Sequence, residues 1–342
     1  MTSHDEMNQG NVIYFGIDLG TSRSAIASSN GVREWVESCV GWPKDFIAEK
    51  VVGRKALVGA DAMRHRLSLD VHKPLERGVI KEGIGGSERA VKEIIRHLID
   101  LAKPAADQKI CAVVGVPADS LKVNKLAIRK AVAEYVHSLM VVSEPFAIAY
   151  GIDMLDETLI IDIGAGTVDF CIMHGTIPSE EDQRTIFTAG DYIDEQLFSY
   201  LSEKHPRARL NKNVARMFKE QFSFVRGVDE TIQVELLEDS KPVRHDIKAE
   251  IRRACESIFP AMVETVAEMV ARMDPEFQGK VRNNVVLSGG GSLIRGIEEY
   301  LQDALKPYGH YKVTRVADPL LAGATGGLKL AQDMPPEYWE TL

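Results

Sequence analysis

The chain has 342 residues, 45% hydrophobic and 27% charged, with 41 basic against 50 acidic side chains and a net charge of −9 at pH 7. That balance describes a soluble globular protein too long for a single core, so two domains are expected. It excludes a global basic footprint for nucleic acid, and no apolar run approaches the roughly 20 residues that span a bilayer. Residues 1–11 are polar, with neither an apolar signal core nor a basic amphipathic helix, which predicts a cytoplasmic protein with no membrane anchor of its own. Cys39, Cys111, Cys171 and Cys255 lie far apart without a CxxC or Cys/His grouping, so buried free thiols are expected. The nine histidines are scattered too, and give a histidine-based site little support.

In chain order, strands are predicted at residues 12–19, 24–29 and 35–40, with the Asn30-Gly31 pair turning one into the next. The first strand runs into Asp18-Leu19-Gly20-Thr21-Ser22, a carboxylate delivered into a glycine and hydroxyl turn. The bare N–H groups of such a turn can approach an anion, and the aspartate can hold the hydrated cation that accompanies it. Residues 42–72 read as a small insertion, punctuated by Gly53 and Gly59, with a short helix near 60–66. Val91, Ile94, Ile95, Leu98 and Leu101 have helical spacing over 87–102, and Pro104 follows. A buried strand at 110–116, an amphipathic helix at 121–136 and a strand at 140–143 lead to Glu144-Pro145, which opens a helix at 146–150. Glu144 thus stands at a strand-to-helix corner suited to a functional carboxylate, although the helix dipole alone also favours an acid there.

The second half repeats the device. Residues 159–163 form a strand that carries Asp162 into Gly164-Ala165-Gly166-Thr167, and Asp169 beyond the turn reads as structural. Residues 191–249 form a second insertion, mainly helical, with a strand pair near 231–237. Residues 249–273 read as one long helix with Ile251, Ile258, Met262, Val266, Met269 and Met273 on its core side, kinked at Pro260. A strand at 284–287 runs into Ser288-Gly289-Gly290-Gly291-Ser292, and a helix is predicted at 293–305 whose N-terminus favours negative charge. The recurrence of strand, crossover and strand predicts α/β layers. There is no GxxxxGK[ST] element, which removes a P-loop, and residues 16–20 are not a GxGxxG fingerprint.

Three glycine-rich corners, each after an apolar strand, together form a pattern that resembles the actin, Hsp70 and sugar-kinase superfamily. Residues 15–22 resemble its first phosphate motif, 113–118 its first connecting segment, and 143–151 the helix carrying the hydrolytic acid. Residues 160–169 resemble the second phosphate motif, 286–296 the adenosine motif, and 318–328 the second connecting helix. His72-Lys73-Pro74-Leu75-Glu76-Arg77-Gly78-Val79-Ile80 narrows the likeness to bacterial actins of the MreB/MamK type. So do residues 40–45, 219–225 and the tail Pro335-Pro336-Glu337-Tyr338-Trp339.

The resemblance implies an actin-like (ribonuclease H-like) two-domain fold, each domain a mixed β-sheet flanked by helices with a smaller inserted subdomain, and a nucleotide in the inter-domain cleft. Subdomain IA would comprise 1–34, 74–150 and 321–342; IB 35–73; IIA 151–190 and 250–320; and IIB 191–249. ATP or ADP with Mg²⁺ is the implied ligand. Asp18 and Asp162 would hold Mg²⁺ through water, Asp162 also ordering the attacking water that Glu144 activates. Gly20, Thr21, Ser22, Gly164, Ala165, Gly166 and Thr167 would grip phosphates. Arg23, just after the first turn, would either reach a phosphate or point to solvent. Gly190, Lys219 and Glu220 would meet ribose and adenine, with Gly289, Gly290, Gly291 and Ser292 on the other side of the base. For Lys219 and Glu220 the residues themselves argue nothing beyond a solvated helix face.

The implied function is a slow ATPase that polymerises head to tail into cytoskeletal filaments and organises magnetosomes, with magnetosome-associated adaptors as further partners. Two alternatives remain at this point. A small-molecule kinase would need another carboxylate over an acceptor hydroxyl, and a filament-regulating relative would bind nucleotide while hydrolysing little. Tyr338 and Trp339 suggest a docking hook or, more commonly, a chain end packed on its own domain.

Overall fold

The computed structural model describes residues 11–81, 86–118 and 121–341. The chain resolves into two compact units: one runs through Leu155 and resumes from Leu320, and the other is Asp156–Pro319. Among the described residues no helix is long and apolar enough to cross a membrane.

The first unit is built on a six-stranded mixed sheet. Its order is Glu340–Thr341, Ser138–Ser143, Lys109–Val116, Val12–Leu19, Arg23–Ser28 and Arg33–Glu37. Val12–Leu19 lies parallel to Lys109–Val116 and antiparallel to Arg23–Ser28. Its side chains alternate faces, as strand geometry dictates. Ile13, Phe15, Ile17 and Leu19 enter a core with the helices Ser87–Ala102 and Leu121–Val132. Gly16 and Asp18 take the other face, under the helix Ala322–Asp333.

That helix approaches so closely that side chains are excluded. A Cβ on Gly16 would stand 2.0 Å from the Ala324 carbonyl oxygen, and one on Gly326 would stand 1.9 Å from that of Ala147. Glycine is therefore required where the helix crosses the strand and the helix Glu144–Gly151.

The insertion of this unit is a three-stranded sheet, with Val40–Pro43 between Leu57–Val58 and Leu69–His72. Its small core comprises Cys39, Leu57, Ala62 and Leu69. It contains a helix the sequence reading did not place, Phe46–Val52. The signals are local: Asp45 Oδ1 accepts the Ala48 N–H at 2.8 Å, and Gly53 ends the helix in left-handed backbone at φ 70°. At the far edge, Glu340–Thr341 pairs antiparallel with Ser138 and Leu139, so the chain end packs on its own sheet.

The second unit has a five-stranded sheet ordered Gln183–Ile186, Val168–His174, Asp156–Ile163, Val285–Ser288 and Val313–Arg315. Its insertion holds the helices Gly190–Lys204 and Lys212–Phe222 and the hairpin Gln233–Glu238 with Lys241–Asp246.

Two expectations are corrected here. The single helix predicted over 249–273 is two, Lys248–Glu256 and Phe259–Arg272. Pro260 lies in the first turn of the second, where its missing N–H is harmless, so it starts a helix rather than kinking one. The helix expected from residue 293 begins at Ile297. Residues 290–293 form one 3₁₀ turn, and the Arg295 carbonyl then accepts the Val225 N–H at 2.9 Å before Gly296 turns at φ 79°. The glycine corner therefore lacks the α-helix N-terminus expected of it.

All four cysteines are free and buried. Burial raises the Cys171 thiol and pushes Cys255 up to about 12, which keeps both protonated and inert.

Candidate nucleotide site

In the first unit, Asp18 ends a strand whose register sets it beside Gly115, with Leu19 opposite Ser24 across the hairpin. Its carboxylate lies against the start of the helix Ala322–Asp333, where a Cβ on Gly323 would come 2.8 Å from Asp18 Oδ2. The turn at residues 20–22 is pinned from below. Ser38 Oγ donates to the Gly20 carbonyl at 2.6 Å, and the Ser38 N–H donates to the Ser22 carbonyl at 2.9 Å. The Gly78 N–H donates to Thr21 Oγ1 at 2.9 Å, leaving the hydroxyl its own proton to give. Carbonyls held by the scaffold in this way leave the opposite side of such a turn for an anion to approach. The Arg23 guanidinium lies over the Trp35 ring on the neighbouring strand, 5.0 Å from its centroid.

Glu144 is 5% exposed and opens the helix Glu144–Gly151, directly after the strand Ser138–Ser143. Its Cγ lies 3.3 Å from where a Cβ on Gly115 would be. Asp18 and Val142 pair with Gly115 from its two sides, so this side-chain-free residue separates the two acids. A rigid sheet thus carries both.

In the second unit, Asp162 is 7% exposed and sits opposite Asp169 and beside Ser288. The Gly164 N–H donates to the Thr167 carbonyl at 2.9 Å and closes the turn. The N–H groups of Gly190 and Asp191, opening the helix Gly190–Lys204, donate to the carbonyls of Gly164 and Ala165 at 3.1 and 2.7 Å. The carbonyls are again drawn into the protein. Asp169 accepts a hydrogen bond from Thr185 Oγ1 and is 1% exposed, in keeping with its structural assignment.

The third corner shares the same strand ends. A Cβ on Gly289, at φ 75°, would fall 2.6 Å from Asp162 Oδ1, and one on Gly291 would fall 2.2 Å from Ile163 Cγ2. Gly290 lies in the 3₁₀ turn that follows. Ser292 is fully buried, and its Oγ donates to the Gly289 carbonyl at 2.7 Å, so it braces the corner from inside.

Lys219 joins this group. Its Nζ donates to the Gly190 carbonyl at 3.0 Å and pairs with Asp194 at 2.7 Å. Asp194 is 6% exposed, and burial raises its carboxyl above the usual range against the pull of Lys219. Glu220 forms an ion pair with Arg216 at 3.3 Å.

The sequence reading overlooked Ser38, Asp194 and Gly323. Ser38 and Asp194 carry no motif and matter through long-range partners. For Gly323, the run Ala-Gly-Ala-Thr-Gly-Gly inside a helix was the available signal of close backbone approach.

The donor set fits a metal-bound polyphosphate. Each unit offers an aspartate beside a glycine and hydroxyl turn, the hard oxygen and anion-binding chemistry such a ligand requires.

The actin-like protein MamK of Magnetospirillum gryphiswaldense is 42% identical over 340 residues, which is 98% of this chain and 94% of that protein. A solved MamK double helical filament matches with a TM-score of 0.92 at 42% identity, covering 95% of this chain and all of that one. A non-polymerising MamK mutant bound to AMPPNP matches at 0.74, again at 42% identity, covering 94% and 99%. The profile of the MreB/Mbl protein family matches residues 13–336, and the chain belongs to that family.

Proposed function

We propose that the protein is an ATP-hydrolysing bacterial actin that polymerises head to tail into cytoskeletal filaments, and that these filaments organise magnetosomes through adaptor proteins. The observation that carries the nucleotide reading is the repeated acid and glycine corner: Asp18 against Gly323, and Asp162 against Gly289, each with no room for a side chain between. The likeness to a filament-forming and AMPPNP-binding relative supports polymerisation and an adenine nucleotide.

Asp18 and Asp162 would hold Mg²⁺ through water. When bound, the ion neutralises charge on the phosphoryl oxygens. The turns at residues 20–22 and 165–167 would fix the phosphates, and Glu144 would accept a hydrogen bond from water and aim its oxygen in line with the γ-phosphorus. Gly190 and Gly289–Gly291 would leave backbone for ribose and base to lie against, with Lys219 holding Gly190 in place. Loss of the γ-phosphate then biases the subunit away from its polymer-competent state, so hydrolysis times filament turnover.

The test is Glu144→Ala. This variant should sediment with Mg-ATP as the native protein does, yet release phosphate at least about 100-fold more slowly. Native phosphate release by the variant would remove Glu144 from the mechanism. A native protein that stays in the supernatant with Mg-ATP would overturn the filament reading.

A further inference from the structure

The histidines are scattered in sequence, but the fold of the second unit brings two of them together. His205 caps the C-terminal end of the helix Gly190–Lys204, and His245 lies on the strand Lys241–Asp246. The chain after the helix runs along the partner strand of that hairpin. Ala208 bridges to Glu238, and the Arg209 N–H donates to the Leu237 carbonyl at 2.9 Å. The two imidazole centroids end 4.1 Å apart. Glu238 Oε1 lies 3.0 Å from His245 Nε2 and 3.9 Å from His205 Nδ1.

We propose that His205, Glu238 and His245 bind a divalent transition-metal ion of the zinc type, and that the ion fastens the hairpin Gln233–Asp246 to the end of the helix Gly190–Lys204. One ligand atom from each residue lies within 4.8 Å of the others, close enough to converge on one ion after small rotations. Two imidazoles and a carboxylate leave a fourth position for water in a tetrahedral shell.

The cluster is not satisfied by itself. His205 is 8% exposed and its Nε2 is buried without a hydrogen bond among the described residues, while His245 Nε2 has Glu238 Oε1 as its polar neighbour at 3.0 Å. Such an arrangement is costly for a purely structural cluster and is relieved by a metal. Imidazole selects zinc, nickel, cobalt or copper over magnesium, so the ion differs in kind from the one that accompanies a nucleotide.

The experiment uses full-length untagged protein stripped with EDTA. Zn²⁺ titrated by calorimetry should bind once per chain, and millimolar Mg²⁺ should not compete. Zn²⁺ at a hundredfold excess over its Kd should raise Tm by roughly 5–10 °C. Glu238→Gln and His245→Gln, with native circular dichroism, should each weaken binding by about 100-fold. Should either variant misfold, Co²⁺ added to the native protein decides: visible bands of a tetrahedral nitrogen and oxygen site are expected. No zinc binding by the native protein, unchanged affinity in folded variants, or a sulfur-to-cobalt charge-transfer band would each overturn the assignment.

Discussion

Lys219 shows how one side chain can hold the scaffold of the candidate site together. Its ammonium holds the Gly190 carbonyl and the Asp194 carboxylate, and Asp194 is nearly inaccessible to water. Lys219→Met removes the ion-pair partner of that buried carboxylate, and such losses cost about 3–5 kcal/mol. Urea unfolding of nucleotide-free protein should show this, which a residue that only touched the base would not. The pH dependence has a definite sign. Burial raises Asp194 above its unfolded value of 3.8, so the folded state binds the extra proton, and the variant's deficit should shrink as pH falls towards that raised value. A deficit unchanged between neutral and acidic pH would show that Asp194 is not the strained group. None of this is legible locally: a Lys-Glu pair on a helix reads as solvated, and only resemblance pointed to residue 219. Asp18 and Asp162 stand out in the sequence as strand-end acids before glycine turns, and Glu144 as an acid before a helix-opening proline, because each pattern lies within a few adjacent residues.

Among the elements, the helix Ala322–Asp333 does most to place the first unit's acids. Its glycine face lets it lie directly on Val12–Leu19 and on Glu144–Gly151, the two elements that carry Asp18 and Glu144. Gly326→Val should therefore lower stability by about 3 kcal/mol or more, because even its first carbon would stand 1.9 Å from the Ala147 carbonyl oxygen. Gly279→Ala is the matched control. That glycine lies in the helix Pro275–Arg282 with nothing within 4 Å of an added Cβ, so the change should stabilise by about 0.5–1 kcal/mol. Denaturation midpoints of the two variants moving in the same direction would refute the argument. Strands and amphipathic helices were readable because burial on a face imposes a period on the sequence. The misread elements, at residues 249–273 and 293–305, depend on particulars outside that period. One is where a proline falls within a turn, and the other is the pairing of Arg295 with Val225, distant in sequence.

At the scale of the molecule, each unit carries its own acid and its own amide turn, and the proposed function requires both to serve a single nucleotide. The two-domain fold was legible because its corners recur in order along the chain, whereas the sharing of one ligand is a claim about thermodynamics and is testable as such. If each unit bound a nucleotide of its own, Asp18→Asn would abolish one site and leave the other intact, and native protein would bind two nucleotides per chain. If both acids hold one Mg-ATP, calorimetry of the native protein should give a stoichiometry of one. Either single substitution should then weaken that same site, by roughly 10- to 100-fold for a lost charged contact. The double variant should fall short of the product of the single losses, since the second acid can no longer engage a ligand already displaced from the first. A stoichiometry of two, or strictly multiplicative losses with an intact residual site, would separate the units functionally. Without that coupling, loss of the γ-phosphate would have no route by which to change how subunits assemble.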